Sequence, residues 1–471
     1  MTTVLVDGSY LLRRDQTGIS SYARTLAGTL HELGADVSLL LATPAAPFRS
    51  LPAIGLAGQV LGHAPERGRF MRRLRLLRQT RFGLRRRLTA VPVVADNIYI
   101  ASLDPPLPPH QALFNASDFF EHARAVFALS GRFTGIELQG RADVAHWTSP
   151  APLAARNMAN VYTVHDLVPL RFPHFTIDRN GRAARLHAAV ARRADHVITV
   201  SERSAEDIVR ILGVSADRIS VTYQPVVPLT PLPPEDAARL VSDIYGAEPG
   251  RYVFFCGAME PKKNLARLIE AFIVADTGMQ LLLAGTPGWL SSDVAELLSR
   301  FEKTERPLVR HLGYLPRRHV AALMQGACFF AFPSIYEGFG LPVVEAMSLG
   351  VPVLTSTGGA LPEVAGDAAE LVDPLDPGAI VRGIRKLAVD AELRAELGRR
   401  GREQAARFSG GAYAERLRVA YRRFGVSLVP ATATGGDPRV RQAAAVTANP
   451  GVVGFDAYSV ATSQGAAMTR V

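Results

Sequence analysis

Short apolar runs alternate along this chain with longer stretches of helical periodicity. The first series begins with residues 3–7 and continues with residues 37–41, 161–164, 196–200 and 219–223. Apolar runs of this length, separated by helices, are typical of parallel strands that are covered by helices on both faces. The chain is therefore predicted to belong to the α/β class.

A second series of the same kind follows a proline-rich stretch. Five prolines lie within residues 225–234, and such a density favours an extended linker between domains. The later apolar runs cover residues 252–256, 281–284, 327–331 and 351–354. We predict two Rossmann-like doubly wound domains that face each other across a cleft. The predicted division of the chain is 1–228, 229–407, a helix at 408–428 that returns to the first domain, and a disordered tail at 429–471.

The net charge of +10 comes from one segment. Residues 67–87 hold ten arginines and no acidic residue, and the remaining 43 basic residues match the 43 acidic ones. Residues 69–78 have the pattern of an amphipathic helix, which suits an anionic membrane surface, a lipid-diphosphate acceptor or equally an ordinary protein surface. Nucleic-acid binding is not expected, because no recognition module accompanies the arginines.

Location is predicted from the cysteine content and from the start of the chain. The chain has only two cysteines, and its first residues lack the basic and apolar regions of a secretory signal. We expect a cytoplasmic protein, held at the inner face of the membrane if the arginine segment binds lipid.

The loop that follows the apolar run ending near residue 332 carries groups suited to a ligand. Gly338 and Gly340 let the backbone approach a ligand closely, and the helix predicted to begin near Pro342 offers free N–H groups to an anion. Glu337 in the loop and Glu345 in the helix can both reach one ligand about as long as a sugar nucleotide. Carboxylates accept paired hydrogen bonds from vicinal hydroxyls, which suits ribose and hexose.

Three further strand ends carry candidate residues. Two of the four lysines of the chain, Lys262 and Lys263, lie between a predicted strand and an amphipathic helix, where they can meet a diphosphate. His165 and Asp166 follow another predicted strand, and Gly18 lies in the loop after the first one. Positions that follow strand ends line the cleft in doubly wound folds, so we expect these residues to face the ligand.

Glu337 and Glu345, separated by seven residues, resemble the two-glutamate signature of glycosyltransferase family 4. The resemblance extends over about residues 1–425 and implies a GT-B fold and a retaining enzyme that uses a nucleotide-diphosphate sugar. It implies that Glu337 contacts the donor sugar near its 3-hydroxyl and that Glu345 holds the nucleotide ribose. Backbone groups that would then meet the sugar and the diphosphate belong to Gly338, Phe339, Gly340 and Leu341.

The lysine turn and the first loop also resemble family motifs. Residues 257–264 are similar to the family's Gly…Lys-Asn turn, which implies that Lys263 stabilises the leaving group. Ala258 stands where many members carry Arg, so Lys262 is expected to supply part of that phosphate contact. Gly18 lies in a turn that resembles the family's Gly-Ile-Gly-Arg-Tyr motif and would approach the diphosphate.

His165 and Asp166 resemble the His-Asp motif of a subgroup of the family. The resemblance implies that His165 approaches the donor sugar, commonly at its 6-hydroxyl, beside the acceptor. Asp166 would orient the imidazole or bind acceptor hydroxyls, and Arg171 is a further candidate on the acceptor side. The catalytic candidates are thus Glu337, Lys263 and His165.

The chain has no Asp-x-Asp pair, so we expect no metal and no cofactor besides the sugar nucleotide. The donor would be GDP-mannose or UDP-glucose. Residues 165–173 resemble bacterial mannosyltransferases of surface polysaccharide pathways, which favours GDP-mannose and a saccharide or lipid-linked acceptor. A GT-B sugar-nucleotide epimerase or hydrolase and a non-catalytic nucleotide-sugar-binding subunit are the alternatives.

Overall fold

The structure of the protein is a computed structural model. It describes residues 1–12, 18–42, 87–92, 106–116, 119–175, 181–286, 288, 294, 296–298 and 307–428. Residues Met1–Pro430 form one compact unit, within which two sheets are found. The amphipathic segment predicted at residues 69–78 and the tail predicted at residues 429–471 lie outside the described residues, and the predicted domain limits stay predictions.

The first sheet lies in the N-terminal half and has ten strands among the described residues. In chain order they are β1 (Thr3–Asp7), β2 (Asp36–Leu41), β3 (Arg87–Pro92), β4 (Ala112–Asn115), β5 (Thr134–Leu138), β6 (Val144–Trp147), β7 (Leu153–Ala155), β8 (Ala159–Val164), β9 (His196–Thr199) and β10 (Ile219–Val221). Their order across the sheet is β10-β9-β8-β6-β1-β2-β4-β3-β5-β7. The strand order reverses between β1 and β6, as in doubly wound folds.

This first sheet is mixed, whereas a parallel sheet was predicted. β3 pairs antiparallel with β4, and β5 and β7 then run in the direction of β3. The pairing of Val91 with Asn115 and of Pro92 with Phe114 means that the chain leaves β3 at the edge where β4 begins. Strands with that connection can pair antiparallel without a crossover helix, which parallel neighbours require.

The second sheet is parallel throughout and has six strands in the described part of the chain. They are β11 (Tyr252–Cys256), β12 (Gln280–Ala284), β13 (Val309–His311), β14 (Phe329–Phe332), β15 (Val353–Ser356) and β16 (Glu370–Val372). The order is β13-β12-β11-β14-β15-β16, the doubly wound order whose switch point lies between β11 and β14. The prediction of an α/β protein with two doubly wound sheets is confirmed.

Helices connect the strands and cover the sheets. Within the described residues they are α1 (Gly18–Glu32), α2 (Phe119–Ser130), α3 (Val168–Arg171), α4 (Arg182–Arg193), α5 (Glu202–Leu212), α6 (Pro234–Arg239), α7 (Leu265–Ala275), α8 (Arg317–Gln325), α9 (Leu341–Ser348), α10 (Leu361–Ala365), α11 (Pro377–Val389), α12 (Ala391–Ala406) and α13 (Gly410–Arg423). None of the described helices is both long enough and apolar enough to cross a bilayer.

The last helix, α13, packs against the first sheet. Its Leu417 and Tyr421 lie in the same buried cluster as Val4 and Val6 of β1. The intervening Leu5 belongs to the cluster on the other face, because successive strand residues point to opposite sides. The chain thus crosses from the second sheet back to the first, and residues from both ends of the chain share one core.

A buried histidine joins α13 to the sheet. His146 Nδ1 lies 2.8 Å from the hydroxyl oxygen of Tyr421, and its Nε2 lies 2.9 Å from Thr163 Oγ1. Burial, together with the nearby His165 and His196, lowers the pKa of His146 to about 3. The imidazole is therefore neutral at pH 7.

Acid should destabilise this protein partly through His146. A histidine in the unfolded chain has a pKa near 6.5, so it binds a proton below that pH, whereas His146 in the folded chain stays neutral there. Between pH 7 and pH 5 this residue alone should lower the free energy of unfolding by about 2 kcal/mol. Urea denaturation at both pH values should show a smaller loss in His146→Gln than in the wild type.

The exposed His31 supplies the matched control, since His31→Gln should follow the wild type at both pH values. Equal acid sensitivity of the wild type and His146→Gln would contradict the assignment of a neutral buried imidazole.

Candidate functional site

Two neighbouring strand ends at the switch point of the second sheet bring together Glu337 and the lysine pair. Lys263 Nζ lies 2.6 Å from Glu337 Oε1, and Lys262 Nζ lies 3.7 Å from Glu337 Oε2. The Lys263 ammonium also lies 4.7 Å from the ring centroid of Phe332, the last residue of β14. Since parallel strands end at one edge, the turn after β11 and the loop after β14 meet there.

The charges of this group stabilise one another. Burial would raise the pKa of Glu337, but Lys263 and Lys262 outweigh it, so the pKa lies below its usual value. The Glu337 carboxylate in turn raises the pKa of Lys262, against the effect of burial. The carboxylate and the ammonium of Lys262 therefore stay charged at neutral pH. Lys262 Nζ also lies 3.9 Å from Glu260 Oε2, so its ammonium faces two carboxylates.

Asn264 holds the lysine turn against the loop after β14. Its backbone has a φ of 63°, a left-handed conformation that asparagine tolerates better than most residues. Its Nδ2 donates to the carbonyl oxygens of Pro333 at 3.1 Å and Pro374 at 2.7 Å. The Ile335 N–H also donates to the Lys262 carbonyl at 2.8 Å. Asn264 was not predicted as a site residue, although its place directly after Lys263 was the available signal.

Helix α9 begins directly after the glycine loop. Gly340 has a φ of 107°, and a Cβ atom there would lie 2.7 Å from Leu361 Cδ2, so glycine is required. Leu341 is the first helical residue and faces the start of α1, because a Cβ atom on Gly18 would lie 4.0 Å from Leu341 Cδ1. The N-terminal ends of α1 and α9 therefore meet. The side chain of Phe339 is buried, with its ring centroid 5.2 Å from that of Phe408.

Glu345 has a partner that the sequence did not indicate. Arg317 Nη1, at the start of α8, lies 3.3 Å from Glu345 Oε1, and Arg317 Nη2 donates to the Val227 carbonyl at 3.0 Å. Burial raises the pKa of Glu345, and Arg317 opposes that shift. Burial and the Glu345 carboxylate raise the pKa of Cys256 to about 12, against the lowering effect of Lys263 and Arg317. Glu345 and Lys263 thus act on the same small volume at the end of β11.

The N-terminal half contributes the turn of His165 and Asp166 after β8. His165 Nε2 lies 3.0 Å from the Thr148 carbonyl oxygen, and burial lowers the pKa of His165. Asp166 Oδ1 accepts the Val168 N–H at 3.1 Å. A Cβ atom at Gly338 would lie 2.7 Å from the His165 carbonyl oxygen and 2.8 Å from Asp166 Cβ. The two halves are therefore in contact at this glycine.

Arg171 lies in an ion-pair network that joins the two halves. Its Nη1 lies 2.6 Å from Asp207 Oδ1, and its guanidinium lies 5.3 Å from the ring centroid of Tyr336. The hydroxyl of Tyr336 donates to the other oxygen of Asp207. Asp207 belongs to α5, and Tyr336 directly precedes Glu337. The role of Arg171 on the acceptor side stays a prediction, and Asp207 and Tyr336 were not predicted as site residues.

A second carboxylate links the halves near the same place. Glu363 of α10 accepts the backbone N–H groups of Glu202 at 2.8 Å and Arg203 at 3.2 Å. These donors belong to the first turn of α5, where the positive end of the helix dipole also stabilises a carboxylate. The Ala360 N–H donates to the Glu337 carbonyl at 2.9 Å. The segment that carries Glu363 is thus bonded both to the Glu337 loop and to the N-terminal half.

Two family models match this chain. One described as Glycosyltransferase Family 4 matches residues 16–228. A second, described as Glycosyl transferases group 1, matches residues 242–404. The match to the second model contains Lys262, Lys263, Glu337 and Glu345, and the match to the first contains His165.

Curated relatives are similar over part of their length. The O-antigen chain mannosyltransferase B of Escherichia coli is 38% identical over 224 residues, which are 45% of this chain and 56% of that protein. The MMP alpha-(1->4)-mannosyltransferase of Mycolicibacterium hassiacum is 30% identical over 223 residues, 46% of this chain and 51% of that protein. The chain thus spans about half the length of these relatives.

Solved structures share the fold. Sucrose-phosphate synthase from Thermosynechococcus elongatus has a TM-score of 0.59 at 19% identity, and the match covers 90% of this chain and 99% of the synthase chain. Anabaena Alr3699/HepE in complex with UDP and glucose has a TM-score of 0.58 at 16% identity, and the match covers 88% of this chain and 98% of the HepE chain. At these identities the likeness concerns the GT-B architecture alone.

Tyr336→Phe should reduce turnover without weakening nucleotide binding. The variant removes one hydrogen bond to a buried carboxylate, an interaction of about 1.5–3 kcal/mol, between the Glu337 loop and the N-terminal half. We expect kcat for sugar transfer to fall roughly tenfold or more. The Kd for the nucleoside diphosphate alone, measured by calorimetry, should stay at the wild-type value, because Lys263 and Glu345 keep their contacts.

Tyr314→Phe is the matched control, since Tyr314 is 74% exposed. An unchanged kcat in Tyr336→Phe would rule out this positioning role, and a parallel loss of nucleotide affinity would indicate local damage instead.

Proposed function

Since this chain belongs to glycosyltransferase family 4, we propose that it transfers mannose from a nucleoside-diphosphate mannose, GDP-mannose, to a saccharide acceptor. The proposed acceptor is a saccharide or a lipid-linked saccharide in polysaccharide synthesis, and the transfer retains the anomeric configuration. The observation that carries the proposal is the cluster of Lys262, Lys263 and Glu337 at the switch point. The two curated relatives described above, which are mannosyltransferases, support the choice of sugar.

The two ammonium groups at the switch point suit a diphosphate. Lys263 lies 2.6 Å from Glu337, and Lys262 lies 3.7 Å from Glu337 and 3.9 Å from Glu260, so both cations are held where a diphosphate is proposed to bind. The helix starts at Gly18 and Leu341 add backbone N–H groups and the positive ends of two helix dipoles. Groups held in place before the reaction stabilise the charge that develops on the departing diphosphate, and this effect supplies most of the proposed rate.

Glu337 is proposed to position the sugar. Its carboxylate is charged and already paired with Lys263, which suits hydrogen bonds from sugar hydroxyls better than covalent attack. Glu345 is proposed to accept the hydroxyls of the ribose, which would take the place of Arg317 on that carboxylate.

The bond changes follow from the proposed retention. The acceptor oxygen forms a bond to the anomeric carbon on the face from which the diphosphate leaves. The bond from that carbon to the phosphate oxygen breaks, and this oxygen takes the proton of the acceptor hydroxyl. His165 is neutral, because burial lowers its pKa, and is proposed to hydrogen-bond the donor sugar. No metal and no cofactor besides the sugar nucleotide takes part in this proposal.

Glu337→Ala and Lys263→Ala should each lower kcat by at least about a hundredfold with GDP-mannose as donor. Lys263→Ala removes positive charge that the departing diphosphate requires, and losing one such electrostatic contact costs about 10²–10³ in rate. Glu337→Ala removes the hydrogen bonds that position the sugar for attack, and misplaced reacting groups cost about 10² in rate. Transfer of radiolabelled mannose to an oligosaccharide, followed by analysis of the product, measures the effect.

Lys386 and Glu370 form a partly exposed ion pair at 2.7 Å that offers matched controls. Lys386→Ala and Glu370→Ala should keep wild-type rates. If the two site variants also kept wild-type rates, the site assignment would be wrong. Free mannose or an epimerised sugar nucleotide as the sole product would favour the epimerase or hydrolase, and transfer from UDP-glucose alone would overturn the choice of donor.

We propose in addition that the arginine segment at residues 67–87 holds the enzyme at an anionic membrane on its cytoplasmic side. Ten arginines without an acidic residue should bind acidic lipid, and salt should weaken that binding. Sedimentation with phosphatidylglycerol vesicles should remove the protein from solution, and phosphatidylcholine vesicles should leave it there. Equal recovery with both vesicles, at low and high salt, would contradict the membrane contact.

A further inference from the structure

A second concave site lies in the N-terminal half. It is a cavity of about 470 Å³ whose wall includes Phe133 and five arginines, Arg87, Arg132, Arg156, Arg192 and Arg193. We call it the arginine pocket. Its size falls within the range of small-molecule sites.

The arginines of the pocket come from four separate places in the chain. Arg87 is the first residue of β3, Arg132 precedes β5, and Arg156 follows β7. Arg192 and Arg193 form the last turn of α4. Only the fold brings these residues around one cavity, so their clustering is more than a local run of basic sequence.

The positive charge of the pocket is only partly compensated by the described residues. Glu137 lies 3.0 Å from Arg156 and 3.6 Å from Arg87, and these three side chains are too exposed for strong ion pairs. For Arg132, Arg192 and Arg193, the described part of the chain supplies no side-chain ion pair. The carbonyl end of α4 offsets the charge of its last turn only in part, since a helix end carries about half a unit charge.

Among the described residues, the arginine pocket shares no lining residue with the site that holds Glu337 and His165, and its Arg192 and Arg193 lie at the opposite edge of the first sheet from His165. Helix α4 connects β8 to its parallel neighbour β9, so its last turn lies at the edge where β9 begins. His165 follows β8 at the opposite edge. The six residues of β8 place roughly 20 Å between the two edges.

Guanidinium groups select the chemistry of the ligand. They bind phosphate oxygens in pairs through planar forks of N–H donors, and several of them around one cavity favour more than one phosphate group. We propose that the arginine pocket binds a ligand with clustered phosphate groups, a diphosphate or bisphosphate, at the same time as the sugar nucleotide. This inference does not depend on the proposed function.

Calorimetry with inorganic pyrophosphate tests the proposal. The titration is made on the full chain with saturating GDP and UDP, so that the nucleotide site cannot take up the probe. We expect one remaining binding event. Arg132→Gln combined with Arg192→Gln should weaken this event at least tenfold.

Arg182→Gln combined with Arg185→Gln is the matched control, because both arginines are exposed on α4 outside the pocket. This variant loses the same charge and should keep the wild-type affinity. Equal weakening in both double variants would reduce the effect to net charge and overturn the pocket. The absence of binding once the nucleotides are present would overturn it as well.

A second arm distinguishes a soluble ligand from a lipid one. Phosphatidylcholine vesicles with or without diacylglycerol pyrophosphate are sedimented with the wild type and with each double variant. Diphosphate-dependent sedimentation that is lost only in the Arg132/Arg192 variant assigns the pocket to a lipid diphosphate. Pocket-dependent binding of free pyrophosphate without vesicle binding assigns it to a soluble one.

Discussion

The buried carboxylate of Glu337 requires opposite charge, and this requirement organises the candidate site. Removing a carboxylate from water is costly unless a close cation and hydrogen bonds compensate it. The cation, Lys263 at 2.6 Å, comes from the neighbouring strand end, so the turn after β11 and the loop after β14 stabilise each other. Asn264 links the same two segments by donating a hydrogen bond to the Pro333 carbonyl. Lys262 adds a second ammonium group, which Glu260 and Glu337 hold at the place where a diphosphate is proposed to bind.

The position of Glu337 also depends on the other half of the protein. Gly338 touches the turn of His165 and Asp166 so closely that a Cβ atom would collide with it. Tyr336, which precedes Glu337, donates a hydrogen bond to Asp207 of α5. Glu363 accepts a hydrogen bond from a backbone N–H group at the start of the same helix. The position of the Glu337 carboxylate therefore depends on contact between the two halves. Enzymes whose site lies between two halves can use such contact to complete the site only in the closed state.

Much of the fold could be predicted from the sequence, because buried parallel strands correspond to apolar runs in the sequence. The strands at Thr3–Asp7 and Tyr252–Cys256 agree with the prediction residue for residue. Seven of the described strands were not predicted, since they are short and some, such as β3, are largely exposed. They are β3, β4, β5, β6, β7, β13 and β16. Such strands are stabilised by pairing with distant neighbours, and no local pattern records that pairing.

For the candidate site, the sequence by itself determined which chemical groups follow which strands. It placed Glu337, Lys263 and His165 at strand ends, and the doubly wound order then brings those ends to the cleft. The partners were decided only by the tertiary structure: Asp207 for Arg171, Arg317 for Glu345, and five distant arginines around one pocket. The energy of a charged pair depends on its separation and its exposure to water. Both quantities are set by residues far apart in the chain, and so they exist only once the chain has folded.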